Sequence, residues 1–498
     1  MLLVPWTVAL ASAAAMALAF PKTNLVVLAP VGAIGLFWAW FGATPKRAFW
    51  IGLAAGTVFF TITYSWFGET AGALIAPFGF FLTLGPAVGD AFFGFALVGA
   101  LVAFAAQRSA RPVAPLAGAA VFAFGEWFRS EGLGELGVPF GSLGYTQVGS
   151  PFAPLAAYVG TYGVTFVLCV LAAYAAYAIR LRTLRGSLGT AAIAYGAVLA
   201  LTALGWALWP ARAAETAKFR VAAIQGNIKQ ATKWSPEAFA RALDRYQTLT
   251  VRAAASRPRL IVWPETVITA ALNRSPWLTA QFSKLAKSTR AELVVGTLAI
   301  IDGKDYNVLY FFRPDGSLDS IYRKRRLVPF AEHVPFARFV GWIPWAKQAS
   351  NFGTGDASGI AEANGMRFAP IICWESAFSG LVVDDVRDGA DALIVATDDA
   401  WFGTTAGPYQ HAQIAQLRAI ETGRWVVRAA ATGISGIIAP SGRYTLRSQL
   451  DEETIIEGEI GAPQPTVYDA LGPEPVALGL GALYLVAVAW GAGRRRSV

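Results

Sequence analysis

Along residues 1–212 apolar positions run almost without a break, in blocks at 4–20, 24–42, 49–67, 86–106, 113–127, 158–179 and 190–209. Each block comes close to the ~20 residues that a helix needs to cross a hydrocarbon core. The pattern therefore predicts seven spanning helices, and a further block at 475–490 predicts an eighth. The stretch 72–84 is too short to span and reads as a re-entrant or interfacial piece. The first block lacks a positive leading segment and more spans follow it, so it is read as a helix and not as a signal peptide.

Between these regions the periodicity changes. Short, β-branched apolar runs recur at 219–224, 259–262, 292–298, 306–312, 369–372, 392–395 and 434–439, with helical patterns at 236–254 and 276–288. Continuous apolar strands alternating with helices predict strands covered on both faces, a layered α/β domain. Asp315-Gly316 and Ser441-Gly442 have the chemistry of hairpin turns. Three parts are expected: a transmembrane region at 1–212, an α/β domain at 217–462 and a last transmembrane helix at 473–492.

Composition agrees with the membrane reading. The 498 residues are 55% hydrophobic and 15% charged, with a mean hydropathy of +0.46, whereas soluble chains carry about 25% charged residues. The net charge of +9 does not form one basic stripe, so nucleic acid is not an expected partner. Positive charge instead alternates across the spans. Lys46, Arg47, Arg108, Arg111, Arg180, Arg182, Arg185 and Arg494 to Arg496 fall on one side. The other side receives only Lys22 and Arg129, with Glu69, Glu126, Glu131 and Glu135. The positive-inside rule then places both termini in the cytoplasm and the α/β domain outside.

Candidate chemistry is sparse. The cysteines are Cys169, inside an apolar run, and Cys373; the histidines are His333 and His411. No cluster has metal-ligand spacing, so no metal is expected. No phosphate-cradling glycine loop is evident, so no nucleotide or other cofactor is expected. Glu265, Lys324 and Cys373 each stand just past a short apolar strand, where loops collect functional side chains. A thiol needs a base or a cation to become a thiolate, a carboxylate can take its proton, and an ammonium can hold an oxyanion. The backbone N–H of Trp374 is a natural second oxyanion donor. Residue by residue, plainer readings stand beside this one: Cys373 as a core residue, Glu265 as a cap, and Lys324 in a solvated loop with Arg323, Arg325 and Arg326.

Blocks in order along the chain bear on the choice. Trp263-Pro264-Glu265, then Tyr322-Arg323-Lys324 running into Leu327-Val328-Pro329-Phe330, then Cys373-Trp374-Glu375, resemble the signature blocks of the nitrilase superfamily. Gln225-Gly226-Asn227-Ile228, Glu332 with Val334-Pro335, Asp399-Ala400-Trp401-Phe402-Gly403, and Arg418 to Ser435 resemble the apolipoprotein N-acyltransferases. The resemblance implies an αββα catalytic domain on a membrane bundle in the bacterial inner membrane, facing the periplasm. It implies acyl transfer from a phospholipid donor to the N-terminal amine of a diacylated lipoprotein through a cysteine thioester. Glu265 is then the general base, Lys324 the oxyanion stabiliser and Cys373 the nucleophile. Glu332 orients Lys324, Glu375 supports the loop after the nucleophile, and Trp234 and Trp401 flank the substrate entrance. Ordinary core packing is the alternative for both tryptophans. Ala331, Trp374, Asp398 and His333 depart from the usual Gly, Tyr, Asn and Tyr, and Asp398 brings an extra negative charge near the site.

Two other functions fit parts of the pattern. A membrane-tethered amidase would need only one span. A transporter or scaffold would leave the Glu-Lys-Cys set idle and would call for charge inside the spans, for which Asp90 is the candidate. A thioester must be kept from water, so segments 335–353 and 402–408 are expected to close over Cys373.

Overall fold

The computed structural model describes residues 3–72, 79–109, 113–181, 184–208, 219–230, 233–340 and 351–496. The chain divides into two compact units. One comprises Met1–Trp209, Thr405–Gln410 and Ala470–Val498; the other comprises Pro210–Thr404 and His411–Asp469.

The first unit is helical, with a helix at each predicted apolar run. Thr83–Arg108, Ala153–Arg180 and Pro473–Trp490 are long and apolar enough to cross a membrane; Val4–Ala17, Leu28–Phe41 and Ala192–Ala207 are shorter apolar helices. Of the interfacial piece expected at 72–84, residues 73–78 lie outside the described residues, and helix Gly79–Ala91 takes up the remainder. Arg111, Arg182 and the boundary at 212–217 also lie outside them.

One expectation in this unit is corrected. Arg129 does not sit in an open loop. It lies in a π-helical turn, Phe128–Gly132, that continues the helix Ala114–Trp127, and it is 1% exposed. Its guanidinium donates to Asp90 Oδ2 at 3.1 Å, to the carbonyls of Val138 and Phe140 at 3.0 and 2.8 Å, and to Ser142 Oγ at 3.2 Å. Tyr64 donates to the same Asp90 oxygen at 2.5 Å. Burying a guanidinium is costly unless its donors find acceptors, and residues 138–142 supply several to the two terminal nitrogens. Asp90 is thereby paired with Arg129 and Tyr64 inside the helical unit.

The second unit holds two six-stranded sheets. The strands are β1 (Phe219–Gln225), β2 (Leu260–Val262), β3 (Glu292–Ile301), β4 (Lys304–Phe312), β5 (Leu318–Arg323), β6 (Ala361–Ala363), β7 (Met366–Ile372), β8 (Ala392–Thr397), β9 (Trp425–Ala430), β10 (Gly436–Ile438), β11 (Tyr444–Arg447) and β12 (Thr454–Ile460). One sheet has the order β12-β1-β2-β3-β4-β5 and the other β11-β10-β9-β8-β7-β6. β1, β2 and β3 run parallel, as do β7, β8 and β9, and the remaining pairs are antiparallel. The Asp315-Gly316 and Ser441-Gly442 turns join β4 to β5 and β10 to β11, as predicted.

Each sheet has its own helical cover. Helix Pro236–Ala253 starts at Ser235, whose hydroxyl accepts from Ala238 N–H at 3.1 Å, and Pro236 fits the first turn. It buries Ala238, Ala242, Tyr246, Leu249 and Ala253, a single face at helical spacing. With helix Pro276–Thr289 it covers the first sheet; helices Ser379–Arg387 and Gly407–Thr422 supply Val382, Val386, Ala415 and Ala419 to the core over the second. The sheets pack face to face: Phe219 and Phe368 meet edge-on at 5.5 Å, and Gln225 of β1 accepts from Ser435 and Ser448 at 2.6 and 2.9 Å. The layers are therefore helix, sheet, sheet, helix.

Candidate active site

The fold brings the ends of β2, β5 and β7 together. Trp263, the last anchor before Glu265, is fully buried between Tyr246 at 5.1 Å and Phe282 at 5.4 Å, and donates to Thr250 Oγ1 at 2.8 Å. β3 makes room for the next residues. A Cβ on Gly296 would lie 1.9 Å from the Pro264 carbonyl oxygen and 2.8 Å from Glu265 Cα, so only glycine fits there.

Glu265 is held at both oxygens. Oε1 accepts from Lys324 Nζ at 3.0 Å and from Asn307 Nδ2 at 2.7 Å, and Oε2 accepts from the Asp398 backbone N–H at 2.8 Å. Lys324 is 1% exposed, which rules out the solvated basic loop. Its ammonium also donates to Glu332 Oε1 at 2.8 Å, and Glu332 Oε2 accepts from the Val328 N–H at 2.8 Å. Burial works against the Lys324 charge, but Glu265 and Glu332 outweigh it and hold the lysine pKa well above its ordinary value. Burial likewise pushes the Glu265 carboxyl up, yet the Lys324 charge and the hydrogen bonds to Lys324, Asp398 and Asn307 bring it below the usual carboxylate range.

Cys373 is buried at the mouth of the second sheet, with φ of 53°, a left-handed conformation that a β-carbon strains. Burial raises its thiol well above the ordinary value, the Glu265 charge adds to this, and Lys324 opposes it. The resting set is thus a neutral thiol beside a carboxylate and an ammonium. Glu375 ties the Cys373 turn to the Lys324 turn. It accepts from the N–H groups of Ile372, Arg325 and Arg326 at 2.7, 2.6 and 3.1 Å, and from Tyr322 Oη at 2.8 Å.

Several contributors were invisible as such in the sequence. The Cys373 carbonyl oxygen accepts from Ser376 Oγ at 2.9 Å and lies 3.0 Å from His411 Nε2. His411 Nδ1 is 2.9 Å from Asp399 Oδ1, and Arg428 donates to Asp399 Oδ2 at 2.7 Å. Burial would raise the Asp399 carboxyl, but Arg428 and His411 bring it to about 2. A carboxylate can only accept, so Nδ1 donates in this pair. Asn307 and Lys233, which pairs with Asp398, complete the surroundings of Glu265. Asp399, Arg428 and Asp398 do stand in the family-like blocks; His411, Asn307 and Lys233 carry no signal, because their partners are far away in sequence.

Trp234 and Trp401 are 56% and 37% exposed, so neither is a core residue. Of the closing segments expected, 341–350 lie outside the described residues, and Trp401 and Phe402 form a short helical turn, Asp399–Phe402, that ends at Gly403 with φ of 51°. Among the described residues no group of three or more His, Cys, Asp or Glu side chains could hold a metal ion.

Comparison with known proteins matches residues 220–464 to the carbon-nitrogen hydrolase family and residues 12–174 to the apolipoprotein N-acyltransferase N-terminal domain. An apolipoprotein N-acyltransferase of Azotobacter vinelandii is 33% identical over 98% of this chain and 95% of its own length. This chain belongs to the apolipoprotein N-acyltransferase family. A second member, from Caulobacter vibrioides, is 33% identical over 94% of this chain and 92% of its own. Among solved structures, yeast Nit3 of the nitrilase superfamily is 23% identical, covering 53% of this chain and 94% of its own, with a TM-score of 0.38. An amidase from Nesterenkonia is 16% identical, covering 51% and 95%, with a TM-score of 0.40. Both halves of the family architecture, bundle and αββα domain, are thus present in one chain.

Proposed function

We propose that this protein transfers an acyl chain from a membrane phospholipid to the α-amino group of the diacylglyceryl-cysteine that begins a lipoprotein, by way of a thioester on Cys373. The observation that carries the reading is Lys324, buried between Glu265 and Glu332 at 3.0 and 2.8 Å and acting electrostatically on Cys373. In the first step Glu265 accepts the Cys373 proton and the sulfur attacks the ester carbonyl. Lys324 and the Trp374 N–H receive the oxyanion. The oxyanion collapses, the ester C–O bond breaks, and the lysophospholipid leaves with the proton from Glu265. In the second step the lipoprotein amine attacks the thioester, Glu265 takes the amine proton, and the sulfur leaves and is reprotonated. The amide product is more stable than the thioester, so no nucleotide is consumed.

Catalysis on lipid and lipoprotein agrees with the bundle. The Lys/Arg bias supports eight spans in the bacterial inner membrane, cytoplasmic termini and a periplasmic catalytic unit. Exposed Trp234 and Trp401 suit an entrance with an apolar wall and a wet edge. The test is intact mass of the purified protein after incubation with phosphatidylethanolamine. Wild type gains one acyl chain that hydroxylamine removes, and Cys373→Ala gains none. A folded wild type that gains no acyl chain would overturn the phospholipid-donor reading in favour of a membrane-bound amidase.

A further inference from the structure

Lys233 and Asp398 form an ion pair with both side chains almost fully buried, at 4% and 3% exposure. The pair joins the turn before helix Pro236–Ala253 to the loop after β8. Asp398 is also the residue whose backbone N–H holds Glu265 Oε2 at 2.8 Å. Its own carboxylate therefore lies close to that of the general base, and a charge so near would favour protonation of the base. Asp398 is faced by Lys233 from one side, by Glu265 from the loop after β2 and by Tyr246 from the helix. On its own loop it accepts from the Ala400 N–H at 3.3 Å and is followed by Asp399, itself tied to Arg428 and His411. Lys324 and Asn307 attend to the other oxygen of Glu265. Lys233 is thus the one cation bonded to Asp398 among the described residues.

We propose that Lys233 is a positioning residue for the general base: it neutralises Asp398, so that the peptide holding Glu265 does not bring a second negative charge with it. The lysine acts through Asp398.

The inference rests on Glu265 as the base of the proposed reaction, and the experiment separates the two. The rate of Cys373 acylation by phosphatidylethanolamine is measured by intact mass from about pH 3.5 to pH 8 on the full chain in detergent, where the acidic limb reports the base. Lys233→Met moves that limb up by about one pH unit, because Asp398 is left uncompensated. Asp398→Asn moves it down, because Lys233 now acts on Glu265 alone. The Lys233→Met/Asp398→Asn double variant returns it towards wild type, and Lys233→Arg leaves it in place. A purely structural ion pair would lower the rate in both single variants without moving the limb, and that result overturns the proposal. If Lys233→Met does not fold, an unmoved limb in Asp398→Asn overturns it equally. Glu265→Gln is the control: an acidic limb that survives in that variant means the reading of Glu265 as base has failed, whatever Lys233 does.

Discussion

Lys324 holds its place by a balance between two carboxylates, and the balance has a measurable consequence. In the proposed reaction Glu265 must stay free to accept a proton, whereas Glu332 only holds the ammonium still, with its second oxygen fixed by Val328 N–H. Glu332→Gln keeps the shape and loses the charge. It is expected to slow acyl loading of Cys373 by about 10- to 100-fold, the usual cost of loosening a positioned group, while the circular dichroism spectrum stays native. A variant that loads at the wild-type rate would remove Glu332 from the site. The thiol offers a second check. Because burial and Glu265 raise its pKa, Cys373 of the free protein is expected to react with iodoacetamide more slowly than an ordinary thiol at pH 7, with a rate still rising above pH 9. An early plateau would mean a resting thiolate. At this scale, the legible part of the site was the part written in contiguous blocks. Trp-Pro-Glu, Tyr-Arg-Lys and Cys-Trp-Glu carry their neighbours with them. Lys233 and His411 depend on partners that only folding supplies, and a lone histidine at the start of a helix looks like any cap.

Strands show the same division. Runs buried on both faces, β1 to β4, β7 and β8, were visible as continuous apolar sequence. β9 was not, because Arg428 interrupts it; the guanidinium is buried there only because Asp399 and the Ile434 carbonyl receive it. β11 and β12 were missed because exposed and half-exposed residues predominate in them, and β6 has only three residues. The element that does most for the site from outside it is β3. Gly296→Ala forces its methyl into the Pro264 carbonyl, backbone against backbone, so the Glu265 turn must move. Acyl loading is expected to fall by at least about 100-fold, the scale of loss from a 1 Å misplacement. Its melting temperature is expected to fall much less than that of Trp263→Ala, which empties a core site at a cost of about 3–5 kcal/mol. Comparing acyl loading with thermal unfolding in the two variants checks this.

The whole molecule carries a pH signature of its own. Burial pushes Asp385 up to about 7 although Arg325 opposes it, and burial together with the Asp319 charge pushes Glu292 up to about 8. Both exceed the unfolded carboxylate value of about 4. Their stabilising contribution is complete below that value and is lost as pH rises through 7 and 8. Glu265 and Asp399 shift the other way, so theirs is fully present by pH 5 and adds no slope above it. The melting temperature of the catalytic unit is therefore expected to decline between about pH 5 and pH 8. Glu292→Gln flattens the decline by a few degrees, and an unchanged slope in a pH series of thermal scans would count against the Glu292 assignment. The layered α/β domain and the helical bundle were anticipated from hydropathy and periodicity, and the αββα order of the layers from the family resemblance. The buried pairing of Arg129 with Asp90 was not, since a charged residue between apolar blocks reads as a loop.

The site is split across the chain order as well as across the sheets. Glu265 and Lys324 follow strands of the first sheet, Cys373 follows β7 of the second, and the groups that hold the Cys373 carbonyl end at Arg428. A nascent chain that has emerged through β5 owns Glu265 and Lys324 without Cys373. One that has emerged through Cys373 still lacks Asp399, His411 and Arg428. Under the proposed function, a centre that opens phospholipids is a hazard to the bilayer in which it is assembled. The chain is about six-sevenths made before Arg428 emerges, so under the proposed function the order of synthesis itself acts as the safety catch.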